Sequence, residues 1–409
     1  MSSISSAIVD IPHLHEEALQ REARAGPGTQ TPKRVLHMAT RFLRGGSERD
    51  LVDAIGALPE EEYRSWLLIG PEHDEQAVKE MVPSHCRVVV EPNLVREISP
   101  SHDAKAMLSL RTFMQRSRFD VVHTCQSKAG VLGRLAASMA GTPLILHRLA
   151  MANFFENRQM AGPSAFRGAE QLVARWTDAY FVVGTDLMQR YLRAGIADAR
   201  RFHVVRSAID LERFEAARGM ARQEARRRLD LPLDEDTVAY VGALEARKGV
   251  GQLPSYLDAL RAIAPTARLV IAGDGPQRDE LKREFARRGL SGAVTFLGFT
   301  REVPVVMAAA DCIVLLSEAE GLPQVLVQAA AVGRPFVAYP VDGPRELLRK
   351  GASGSIVRDS REAAWATLAY FEKPAARCHV ELGDWSPATV RSAYRGIFSS
   401  LSERPADSR

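Results

Sequence analysis

One stretch, Asp311 to Pro340 (DCIVLLSEAEGLPQVLVQAAAVGRPFVAYP), limits what this chain can fold into. Cys312 to Leu316 is a short, continuous apolar run. Such a run suits a strand buried on both faces of a parallel sheet. Ser317 to Gly321 is a polar loop, and Pro323 follows it. Proline is favoured at the first helical position because the N–H it lacks is not needed there. Val325 to Val332 reads as a buried helix, which Gly333 can close in the left-handed conformation. Phe336 to Ala338 is the next strand. The stretch is therefore one βαβ unit, with the Glu320 carboxylate where strand gives way to helix.

That place has chemical meaning. Ligands of open α/β sheets bind outside the carboxyl ends of the strands. The helix beginning near Pro323 turns free N–H groups and its positive dipole end toward the same place, which suits a diphosphate. Glu320 either caps this helix or accepts hydrogen bonds from ligand hydroxyls. Phosphate and hydroxyls held together point to a nucleotide-sugar.

Length and charge bound the alternatives. A chain of 409 residues suggests two domains. The net charge of +4 is weak evidence for an anionic partner, and a nucleotide or an anionic membrane surface both fit. No apolar run approaches the ~20 residues of a membrane span. The N-terminus lacks a signal-peptide core, so a cytoplasmic location is expected. Cys86, Cys125, Cys312 and Cys378 lack ligand spacing and read as reduced thiols.

Met1 to Lys33 is polar, shows no strand pattern and reads as a flexible tail, with a short helix near Leu14–Ala23 and a linker from Ala25 to Pro32. Val35–Met38 is the first expected strand. It leads into Arg44-Gly45-Gly46-Ser47 and a helix to about Leu58, with Ser47 as N-cap. A glycine pair there lets a phosphate or sugar approach the backbone, although a plain tight turn explains it as well. Strands follow at Trp66–Ile69, Arg87–Val90, Asp120–His123, Leu144–His147, Tyr180–Val183 and His203–Val205. Helices are expected at Ala104–Arg116, Ser127–Ala140 and Ser164–Trp176. This alternation predicts a doubly wound parallel sheet. His123 and His147 sit at strand ends, where a structural histidine is at least as good a reading as a catalytic one. The loop Met151–Pro163, with Phe154, Phe155, Asn157 and Arg158, is expected to shape a substrate pocket. Glu215–Asp230 reads as one arginine-rich, solvated helix rather than a membrane or nucleic-acid patch. The second domain repeats the alternation, with strands at Val238–Val241 and Leu269–Ile271 and a last amphipathic helix at Pro387–Leu401.

The phrase Glu320-Gly321-Leu322-Pro323, with Gln328 further on, resembles the donor-site signature of glycosyltransferase family four. So do HTCQSKAGVLGRLA from His123, Lys248-Gly249 after the first strand of the second domain, and Gly273-Asp274-Gly275-Pro276. The resemblance runs from about Val35 to the C-terminal helix. It implies an α/β architecture of GT-B type, two Rossmann-like doubly wound domains facing a cleft. The tail would be 1–33, the acceptor domain 34–212, the donor domain 213–385, and 386–409 a helix crossing back to the first domain. The implied activity is retaining, metal-independent transfer of a sugar from a UDP- or GDP-linked donor to a glycan, lipid-linked or small-molecule acceptor. No further cofactor, metal or nucleic acid is implied. A place at the inner face of the membrane, by peripheral contact, is compatible with it.

The resemblance also assigns residues. Glu320 is the catalytic-site carboxylate that holds hydroxyls of the transferred sugar. Donor contacts are implied for Gly45, Gly46, Lys248, Gly273, Gly275, Gly298, Gly321, Leu322, Pro323 and Gln328, with Arg247 as a compensating cation. Val341–Glu346 resembles the loop that closes the donor pocket. Three positions depart from the family pattern. Ala150 stands where a histidine contacts the sugar, Ala243 where an arginine grips the diphosphate, and Gln328 where a second glutamate binds ribose. The acceptor site is unassigned, with Lys128 and Arg148 as candidates. Asp234-Glu235-Asp236 matches a metal-binding aspartate pair of another transferase class, but its place in a turn before a strand reads as solvated charge. The three departures raise one rival, a non-catalytic homologue that scaffolds or activates a partner enzyme. A third reading, hydrolysis or epimerisation of a nucleotide-sugar in the same fold, would want acid–base side chains that the sequence does not assign.

Overall fold

The computed structural model describes residues 9–10, 31–152, 163–373 and 380–403. The expected Leu14–Ala23 helix, the Ala25–Pro32 linker but for its last two residues, nearly all of the Met151–Pro163 loop, and Cys378 lie outside them. The chain forms two compact units. The first comprises Met1–Val183, Met188–Ala208 and Pro387–Arg409; the second comprises Gly184–Leu187 and Ile209–Ser386. The chain thus passes between units after Ala208 and after Ser386, where the sequence placed the passages near 212 and 385.

The first unit holds a parallel sheet of eight strands. They are β1 (Val9–Asp10), β2 (Lys33–Met38), β3 (Tyr63–Ile69), β4 (Arg87–Val90), β5 (Val121–Cys125), β6 (Leu144–Leu149), β7 (Ala179–Val182) and β8 (Phe202–Val204). Their order is β1-β4-β3-β2-β5-β6-β7-β8, so winding reverses between β2 and β5. β1 corrects the expectation of a tail without strands: Val9 and Asp10 pair with Val89 and Val90. The central strands are buried along their length, as their apolar runs require. The helix Pro387–Ser402 belongs to this unit and packs Val390, Tyr394, Phe398 and Leu401 against residues of β2, β5, β6 and β7.

The second unit holds six parallel strands. They are β9 (Thr237–Val241), β10 (Arg268–Ala272), β11 (Val294–Gly298), β12 (Cys312–Leu315), β13 (Phe336–Ala338) and β14 (Gly354–Ile356). The order β11-β10-β9-β12-β13-β14 puts its reversal between β9 and β12. The expected βαβ unit forms with the helix Gln324–Val332 between β12 and β13, closed by Gly333 at φ 73°. Pro323 sits one residue outside the helix, as its N-cap.

Two expectations fail here. The arginine-rich segment is two helices, Leu211–Arg218 and Arg222–Arg228, separated at Gly219. It is also not simply solvated. Arg226 is buried, and both Arg222 and Arg226 pair with the buried Asp311, whose carboxylate also accepts from the Thr237 N–H. Charge counted along a helix does not reveal a partner some 85 positions downstream. Ser47 is not an N-cap: the helix Gly46–Gly56 is capped by Gly45, and the Ser47 hydroxyl donates to Glu48.

Three described cysteines, Cys86, Cys125 and Cys312, are free and buried. Burial raises the pKa of each, that of Cys125 to about 12. Two histidines are buried with them. Nδ1 of His37 lies 3.1 Å from Nδ1 of His123, beneath the Phe398 ring. Burial pushes His37 down to about 3 and His123 well below its ordinary value, the latter helped by His37 and Arg148. His147 is likewise buried, with Nδ1 against Thr124, and burial lowers its pKa too. These rings are neutral structural groups.

A neutral, buried pair makes the first unit acid-sensitive. The unfolded chain binds more protons at these rings, so their contribution is complete above about 6.5 and drains away as pH falls toward about 3. The melting temperature should therefore fall through that window. A His37→Leu/His123→Leu double variant should show a shallower fall by circular dichroism, and a parallel fall would remove the pair as its cause.

Candidate functional site

The site of the second unit is built where its sheet reverses, at the carboxyl ends of β9 and β12. Tyr240, at the end of β9, is buried, and its hydroxyl donates to the Ala243 carbonyl at 2.8 Å. Burial first, then Glu320, raises its pKa, so it stays a hydroxyl. The chain then runs through one 3₁₀ turn, Ala246–Lys248, to Gly249 at φ 65°. A side chain on Gly249 would collide with the Leu316 carbonyl at the end of β12. Only glycine lets the turn pass this close in that conformation.

This approach brings the expected residues together. Lys248 Nζ lies 2.6 Å from Glu320 Oε1. Arg247 Nη1 donates to the Ala319 carbonyl at 3.2 Å and stands 3.8 Å from the same Glu320 oxygen. The Glu318 N–H in turn donates to the Arg247 carbonyl. Glu320 is only 8% exposed, so this carboxylate is held mainly by cations rather than by water. Glu320 does not cap the helix behind it, where no side-chain cap is made.

The neighbouring loops complete one edge. Gly273 follows β10 at φ 149°, and a Cβ there would strike the Gly242 carbonyl. Its N–H donates to the carbonyl of Gly298, which closes β11. The Leu244 N–H donates to Asp274, beside Gly275. The glycines expected to contact a donor therefore hold three strand ends in register. Gly321, Leu322 and Pro323 are buried at the start of the helix Gln324–Val332, and Gln328 is half-buried within it. Gly343 lies against Leu322 and Pro323, and Glu346 accepts from the Thr185 N–H at 2.8 Å. The Val341–Glu346 loop is thus tied down in the second unit.

The first unit places Gly45 and Gly46 at the start of a helix beside the reversal of its own sheet. Sequence reasoning missed what holds this loop. Gln126, directly after β5, has φ 65°, unusual for a residue with a side chain. Its Oε1 accepts from the N–H groups of Thr40 and Arg41, and its Nε2 donates to the Arg41 carbonyl and to Glu48. Nothing local in the sequence marks this residue, because every partner of its side chain lies at least 78 positions away.

The acceptor candidates fare differently. Arg148 is 1% exposed, which corrects its expected role. Its guanidinium binds Asp50 at 2.9 Å and the Val205 carbonyl at 2.6 Å, and lies over the Tyr394 ring. Burial pulls its pKa down, but Asp50 together with Tyr394 and Cys125 outweighs burial, and the net shift is upward. Arg148 is a structural cation. Lys128 is engaged by Asp103 and by the Glu97 carbonyl. The expected solvated charge at Asp234–Asp236 is in part tied down, since Glu235 pairs with Arg268. Among the described residues, no group of three or more His, Cys, Asp or Glu is placed to hold a metal ion.

Two family models match the chain: the glycosyl transferase 4-like domain over residues 45–208, and glycosyl transferases group 1 over residues 221–374. The chain belongs to glycosyltransferase family four. It is a GT-B enzyme that uses a nucleotide-sugar. One family-four relative is the Escherichia coli UDP-Gal:alpha-D-GlcNAc-diphosphoundecaprenol alpha-1,3-galactosyltransferase, 24% identical over 80% of this chain and 85% of that one. Another is the D-inositol 3-phosphate glycosyltransferase of Mycobacterium bovis, 30% identical over 64% of this chain but only 56% of its own length. A crystal structure of Anabaena HepE in complex with UDP-glucose matches with a TM-score of 0.69 at 19% identity, covering 90% of this chain and 99% of that one.

Removing Arg148 would leave Asp50 buried and uncompensated. Arg148→Ala should cost about 3–5 kcal/mol of stability, read as a lower denaturant midpoint. A variant of unchanged stability with only a raised acceptor KM would restore the binding role.

Proposed function

We propose that this enzyme is a retaining, metal-independent transferase that moves a sugar from a UDP- or GDP-linked donor to an acceptor hydroxyl. One observation carries the reading: an ammonium and a nearly buried carboxylate meet where the second sheet reverses, in front of a helix N-terminus. In open α/β sheets that is where a ligand binds. Lys248, with Arg247 beside it, neutralises the diphosphate. The N–H groups opening the helix Gln324–Val332 face the same charge. Negative charge grows on the diphosphate as the glycosidic bond breaks, and these groups stabilise it in place. Glu320 accepts hydrogen bonds from hydroxyls of the transferred sugar. Gln328 bonds the ribose through an amide that both donates and accepts.

Arg247 offsets the missing arginine at position 243. A bound UDP-glucose in HepE and the UDP-Gal of the E. coli relative favour a uridine donor. The acceptor name of that relative favours a lipid-linked saccharide over a small molecule. Such an acceptor agrees with work at the inner face of the membrane, although no described helix is long and apolar enough to cross one. The first unit binds the acceptor. No observation favours the scaffold reading over this one.

Lys248→Ala should weaken nucleoside diphosphate binding at least tenfold, about 1.4 kcal/mol, by calorimetry. Unchanged affinity would take Lys248 out of the donor site. Turnover should survive a chelator, because Lys248 and the helix end supply the positive charge that a metal would otherwise bring. Activity lost in chelator and restored by manganese or magnesium would sink the metal-independent mechanism.

A further inference from the structure

The contact between Lys248 and Glu320 joins two groups that a donor needs separately. We infer that this ion pair makes the site discriminate between an intact nucleotide-sugar and the nucleoside diphosphate left after transfer. The inference rests on the donor reading above.

Lys248 Nζ is 2.6 Å from Glu320 Oε1, and Arg247 Nη1 reaches the same oxygen at 3.8 Å. The Glu320 side chain is 10% exposed and that of Lys248 is 23% exposed. A carboxylate this sheltered depends on its cations, and loss of a partner is costly. A diphosphate has the same sign of charge and competes for the same two side chains. When it arrives alone and draws Lys248 away, Glu320 loses its nearest partner while still shielded from water. It then faces an anion. An intact donor brings the remedy with it, because sugar hydroxyls donate to Glu320 in place of the lysine. The conjugate therefore restores what its diphosphate part removes.

Glu320 thus acts with opposite sign on substrate and product. It favours the conjugate through hydroxyl contacts and disfavours the free diphosphate through charge. Transfer itself then weakens the hold on the leaving group, since the sugar takes its hydroxyls with it. Lys248 and Arg247 can close again on Glu320 as the product departs. Product release limits turnover in many enzymes, so a built-in bias of this kind bears on rate.

Calorimetric titration with UDP, GDP, UDP-glucose and GDP-mannose tests this. Wild type should hold a sugar conjugate more tightly than the matching diphosphate. Equal or weaker binding of the conjugate overturns the inference without any variant. Glu320→Gln and Glu320→Ala should each bind the free diphosphate about threefold more tightly and the conjugate about tenfold more weakly. Two replacements of different size, each checked by its melting curve, separate this from loss of fold. Parallel changes in both ligands overturn the discrimination and leave the donor site standing. If wild type binds none of the four, the donor reading falls and this inference falls with it.

Discussion

The second unit depends on one close approach, the passage of the Ala246–Gly249 turn against the end of β12. Without it, Lys248 could not reach Glu320, since the two stand 72 positions apart in the chain. The approach needs a residue with no Cβ and a left-handed backbone, and Gly249 supplies both. The sheet then does the rest. Adjacent parallel strands lie about 4.8 Å apart, so loops leaving β9 and β12 are neighbours from the outset. Gly273 after β10 and Gly298 at the end of β11 extend the same logic, the N–H of the first donating to the carbonyl of the second.

The first unit solves a different problem, that of keeping charge inside. Arg148, Asp50 and Ser207 form a buried set, and Arg134 pairs with Glu170 in two hydrogen bonds. Such pairs add little net stability over apolar replacements, yet they tolerate no loss of one partner. They also fix where β6 and its neighbours sit, because Arg148 binds the Val205 carbonyl just beyond β8. Gln126 performs a similar service with an uncharged amide, holding the turn before Gly45 from the end of the adjacent strand β5.

Local pattern made much of this legible. The apolar runs of β12 and β13, the helix between them and its glycine end follow from a period and a few special residues. So does the place of Glu320, because a carboxylate at a strand-to-helix passage is visible in one stretch of sequence. What could not be read was set by distant partners. The pairing of Arg222 and Arg226 with Asp311, the enclosure of Arg148 and the clamp made by Gln126 all join residues about 80 to 100 positions apart. A polar side chain looks the same in sequence whether it faces water or a buried counter-charge. The Val9–Asp10 strand escaped for another reason: two residues are too few to show an alternation.

The helix Pro387–Ser402 has a consequence for biosynthesis. Its Val390, Tyr394, Phe398 and Leu401 complete a core whose other members are nearly all drawn from residues before position 210. A ribosome emits those strands long before it emits the helix that covers them. The residues of the second unit end at Ser386, before that helix begins. A nascent chain can therefore finish its second unit while the first still waits with an apolar face uncovered, reversing the order in which domains usually mature during translation. That interval is when the newborn polypeptide has most need of a chaperone.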